Sequence, residues 1–99
     1  MARSDKATIV AALTSALPAT EDPEGLSDLV ASQGHINVAA DSADVGAAIE
    51  RLKALPGYRW IAINTADLFF ASPKTFGTKI GIMDMTGRVL KAADLPRPK

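Results

Sequence analysis

The sequence predicts an α+β fold, and three features carry that expectation: a strand–helix–strand stretch over residues 35–64, a hairpin signature near the C-terminus and an amphipathic N-terminal segment. Ninety-nine residues suit one domain. It divides into a helical pair over 1–34, an α/β unit with hairpin over 35–93 and a polar tail over 94–99.

The first helix is expected from an N-cap at Ser4 to Leu17, where Pro18 stops it. Ile9, Val10, Leu13 and Leu17 form one apolar stripe at helical period, widened by Ala11, Ala12 and Ala16. This segment also superficially fits a leader. However, Asp5 sits among the basic residues, and Thr8, Thr14 and Ser15 interrupt the apolar run, so it reads as a helix.

A second helix is expected from Asp22 as N-cap, with Pro23 at the first helical position, Glu24 in the first turn and Gly34 as the left-handed cap. Leu26, Leu29 and Val30 would form its buried face. His35 would then follow the negative end of that helix, a sensible place for an imidazole.

Residues 35–40 read as a short strand, and Asp41 or Ser42 caps a third helix over 42–55, ended by Pro56-Gly57. Val45, Ala48, Ile49 and Leu52 are its inner stripe; Glu50, Arg51 and Lys53 face water. Residues 58–64 form the next strand, with Trp60 and Ala62 on one face and Ile61 and Ile63 on the other. A strand apolar on both sides belongs inside a sheet. The unit is a βαβ crossover.

Residues 65–72 fit either a strand or a helical turn capped by Thr65, closed by Pro73 in both cases. A hairpin over 78–84 and 88–92 follows. In it, Ile80 and Ile82 share a face, and Asp84-Met85-Thr86-Gly87 fits a type I turn completed by a left-handed glycine.

The chain is neutral overall but dipolar. Residues 1–49 carry seven acids and two bases; residues 50–99 carry nine bases and four acids. Such asymmetry speaks about partners rather than fold. There is no cysteine, which removes disulfides and thiolate metal sites, and the single His35 lacks the paired spacing of a zinc site. No phosphate-binding glycine loop and no nucleophile elbow occur; residues 73–79 are a basic loop at most. No metal or cofactor is therefore expected, and no apolar run reaches the ~20 residues of a membrane helix. The location expected is the cytoplasm, or a particle assembled inside the cell.

The function expected is non-enzymatic: an adaptor, an inhibitor, or an assembly subunit such as a phage structural component. It would act through the edge of the C-terminal hairpin and a basic, aromatic surface. The residues singled out are Tyr58, Phe70, Phe76, Lys74, Lys79, Arg88, Lys91 and Arg97. The partner would be another protein or a second copy. A nucleic-acid accessory role is the alternative, since interleaved cations and aromatics also track single strands. A small enzyme centred on His35 is the third.

Overall fold

Six strands hydrogen-bond in simple chain order, with helices covering both faces of the sheet they form. The computed structural model describes residues 4–95. Within them lie helix α1 (Lys6–Ala16), strands β1 (Thr20–Glu21), β2 (Leu29–Ala31) and β3 (Gly34–Ala39), and helix α2 (Ser42–Lys53). Strand β4 (Arg59–Ile63), a 3-10 turn (Thr65–Asp67), helix α3 (Leu68–Thr75) and strands β5 (Gly81–Met83) and β6 (Val89–Lys91) complete it. The molecule is a mixed α+β structure with three α-helices and a six-stranded sheet among the described residues.

The centre of the sheet is parallel: β3 pairs with β4 in the register Ile36↔Trp60, and β4 with β5 in the register Ile61↔Ile82. The flanks are antiparallel, β1 to β2 to β3 on one side and β5 to β6 on the other. Alternation along β4 then divides the core. Trp60 and Ala62 meet Ile36, Val38, Met83 and the Ile9–Leu13 stripe of α1. Ile61 and Ile63 meet Ile82 and Val45, Ala48, Ile49 and Leu52 of α2, with Ala71 of α3 beside them. A strand covered on both faces must be apolar on both, as this one is from Trp60 onward.

Helix α2 forms where the sequence places it. The Asp41 carboxylate accepts from the Ala43 amide at 2.9 Å, Asp44 lies in the first turn, and Arg51 and Lys53 lie in the last. All four charges complement the helix dipole. In α1 the capping residue is Asp5 rather than Ser4, its Oδ1 accepting from the Thr8 amide at 2.8 Å.

The second expected helix does not exist. Asp22 does accept backbone amides, from Glu24 at 2.9 Å and Ser27 at 3.0 Å, but it closes a turn instead of starting a helix. Gly25, at φ +69°, takes the chain out of the helical region three residues later. Leu29–Ala31 then pairs back on β3, joined to it through Ser32 and Gln33. Gly34 is no helix cap. It opens β3 at φ +126°, where a Cβ would lie 2.1 Å from the Tyr58 carbonyl oxygen.

The ambiguous stretch 65–72 is helical, and Pro73 sits within α3 rather than closing it. The helix ends at Thr75, two residues later. The expected hairpin is present with shorter strands. Its loop closes through the Asp84 amide donating to the Arg88 carbonyl and the Gly87 amide to the Asp84 carbonyl, both at 3.0 Å. Gly87 takes φ +84°, as a bulged type I loop requires.

At the carboxyl ends of the parallel strands, where open α/β sheets usually bind ligands, Asn64 ties the chain to itself. Its Nδ2 donates to the Ser4 and Ala40 carbonyls at 3.0 and 2.7 Å, and its Oδ1 accepts from the Ser4 amide at 3.0 Å. Ser4 is thereby held against the carboxyl ends of β3 and β4. No helix among the described residues is long and apolar enough to cross a membrane.

Candidate interaction surface

Helix α3 inverts the usual distribution of side chains. Its inward positions are small or polar, Ala71 and Thr75 being fully buried and Leu68 partly so. Its outward positions carry rings: Phe69 is 91% exposed and Phe70 43%. Phe76, immediately after the helix, is 70% exposed. Every phenylalanine of the chain therefore stands on this one element or its exit, and none fills the core.

Two lysines lie over these rings. Lys74 Nζ is 4.8 Å from the centre of the Phe70 ring, one helical turn away, and Lys91 Nζ is 4.9 Å from that of Phe76. Both distances fall within cation–π range. Lys91 also donates to the Thr75 hydroxyl at 2.5 Å, which fastens β6 to the end of α3. Partial burial pushes the Lys91 ammonium below its ordinary pKa. No carboxylate pairs with Lys74 or Lys91 among the described residues. Beside them an open cleft of about 290 Å³ separates α2 from α3, lined by Gly46, Ile49, Glu50, Lys53 and Lys74. Within it Lys53 is spoken for by Glu50, at 3.2 Å.

The remaining residues singled out from sequence are spread along β6 and beyond. Lys79 is close to the exit of β6, its carbonyl accepting from the Asp94 amide at 3.0 Å. Arg88 is exposed at the opposite end of that strand, beside Asp84. Tyr58 is exposed at the entrance to β4, packed against Gly34 rather than against α3. Arg97 lies outside the described residues. Strand β6 is the last of the sheet and leaves one side of its backbone unpaired by other strands. Phe69 is not among the residues singled out from sequence for the interaction surface. The spacing Leu68, Ala71, Thr75 (i, i+3, i+7) is the signal that assigns it to the outer face.

Two further clusters bear on chemistry. Asp22, Ser27 and His35 do come together: Ser27 Oγ lies 3.0 Å from both Asp22 Oδ2 and His35 Nδ1, and His35 Nδ1 is 3.5 Å from Asp22. This is not the relay of a hydrolase. Serine and aspartate both face the same ring nitrogen, whereas a triad needs them on opposite nitrogens. Ser27 Oγ is also within 2.9 Å of the Leu29 carbonyl and is buried. The cluster locks the turn before β2, so His35 does not follow a helix end. The Glu24 amide, and after it the Ser27 hydroxyl and amide, hold the Asp22 carboxyl below its ordinary range, against the opposing effect of desolvation.

Arg59 is the second. It is only 2% exposed, its Nη2 donates to the Thr78 carbonyl at 2.7 Å, and burial lowers its pKa. Its Nε is the one buried side-chain nitrogen or oxygen without a hydrogen-bond partner among the described residues. Among those residues, no group of three or more His, Asp or Glu side chains is placed to hold a metal ion. Compared with family models, with curated proteins and with solved structures, the chain matches none.

Proposed function

We propose that this chain is a non-enzymatic interaction module, an adaptor, inhibitor or particle subunit working in the cytoplasm or an intracellularly assembled particle. It docks an acidic, partly apolar protein segment on the outer face of α3 and the adjoining edge of β6. The observation that carries this reading is the exposure of Phe69, Phe70 and Phe76 on α3 and its exit, two of them under lysines with no acid partner among the described residues. None of these rings is buried in the core, yet fully burying one against a partner is worth about 1.5–3 kcal/mol. Contiguous apolar patches of this kind mark interfaces. The lysines set the sign of the partner's charge, and the open β6 backbone accepts an extended segment as an added strand.

Selection of phage-displayed peptides on the immobilised chain tests it. The expected peptides combine Asp or Glu with aliphatic residues and lose binding to a Phe69→Ser/Lys74→Glu variant. Peptides without acidic bias, or equally bound by that variant, overturn the reading. Tighter, salt-dependent capture of a single-stranded oligonucleotide by the same surface would transfer it to nucleic acid.

A further inference from the structure

The two margins of the sheet are complementary. Strand β1 is antiparallel to β2 and β2 to β3, so β1 runs in the direction of the central strands; β6 runs against them. A β1 margin brought alongside the β6 margin of another copy therefore makes an antiparallel ladder that simply continues the sheet.

Charge follows the same polarity. The β1 margin presents Glu21, with Glu24 in the turn that follows, both exposed and without an ion-pair partner among the described residues. Asp28, by contrast, is already held by Lys6 at 3.2 Å and Arg51 at 3.7 Å. The β6 margin presents Lys91, with Arg88 before it and Lys79 near its exit. Each margin also shows one half-exposed aliphatic group, Leu26 near β1 and Val89 on β6.

We infer that the chain self-associates head to tail, the β6 margin of one copy receiving the β1 margin of the next. This rests on the docking reading above and names a second copy as the acidic partner. Because the two margins differ, the contact is heterologous and no twofold axis closes it; copies add in series. A ladder of two or three residues buries far less than the roughly 1,200 Å² of a stable interface. The junctions are therefore weak and sensitive to salt.

Sedimentation of the full chain from about 10 μM to about 1 mM, in about 20 mM and about 500 mM salt, reads this directly. At low salt the average mass should climb with concentration past that of a dimer, and at high salt return towards the monomer. Glu21→Lys/Glu24→Lys and Lys79→Glu/Arg88→Glu should each stay monomeric alone, with native circular dichroism. Mixed together they should grow again, because each reversed margin now matches the other. Variants that associate like the parent, a mass that stops at the dimer, or a mixture that stays monomeric all overturn the inference. A parent that stays monomeric yet captures acidic peptides on α3 removes self-association and leaves the docking reading intact. A parent that does neither removes both.

Discussion

Helices α2 and α3 both cross over the same face of the sheet, and they spend their apolar residues in opposite ways. Helix α2 turns Val45, Ala48, Ile49 and Leu52 inward and shows water Asp44, Glu50, Arg51 and Lys53. Helix α3 buries Ala71 and Thr75 and turns both of its phenylalanines outward, Phe69 91% and Phe70 43% exposed. One helix is built by the needs of the core. The other satisfies the core with small side chains and leaves its largest ones outside the core, Phe69 almost wholly exposed. That division separates what stabilises this molecule from what it offers to others.

The sharpest way to break the comparison is in α2. Leu52→Ala empties a fully buried position and should cost about 2–5 kcal/mol, read as a fall in the urea midpoint. Gly34→Ala should follow at roughly 2–3 kcal/mol, through the clash with Tyr58 and the positive φ it must hold. Its observable is again the unfolding midpoint.

Arg59→Met should move stability the other way. It removes a buried guanidinium paired with no carboxylate among the described residues, leaving only the Thr78 carbonyl to find another donor. A gain of about 1 kcal/mol is expected, seen as a higher Tm; a loss would show that the single hydrogen bond outweighs the desolvation.

Acid should act through Asp5, Asp22 and Asp84. Hydroxyl and backbone donors leave all three below their ordinary value of 3.8, in spite of the opposing desolvation. A folded-state pKa below the unfolded one gives stability that is complete above 3.8 and is lost as pH falls through the lower folded value. Tm should therefore hold steady from neutrality down to about pH 5 and fall below about pH 4. Asp22→Asn should flatten part of that fall, and an unchanged profile in that variant would remove Asp22 from the account.

The smallest effect belongs to α3. Phe69→Ser should change stability by no more than about 0.5 kcal/mol, as for other surface positions.

The contrast between the helices also explains how much of the molecule was legible in the chain. Helix α2 and its flanking strands were readable because cap, period and terminating Pro56-Gly57 all agree on one structure. Residues 22–33 were not, because Asp22-Pro23-Glu24 is as good an opening for a closed turn as for a helix. Gly25 was the residue that discriminated, and three-residue β2 is too short for an alternation to register. Phe69-Phe70 reads equally as buried strand or exposed helix, and only the Leu68–Ala71–Thr75 spacing separates them. Arg59 was hidden by the apolar run that follows it. Of the site, the sequence supplied the cations and two of the rings, but not their pairing. The contact of Lys91 with Phe76 joins residues fifteen apart through a sheet edge, which no local pattern encodes.

The affinity of a Phe69→Ser/Phe76→Ser variant for peptides selected on the parent chain tests the division most directly. The account predicts at least about a tenfold loss, a little over 1.4 kcal/mol, with folding intact. Undiminished affinity in that variant, together with an unfolding midpoint lowered as far as that of Leu52→Ala, would contradict it and return these rings to the fold.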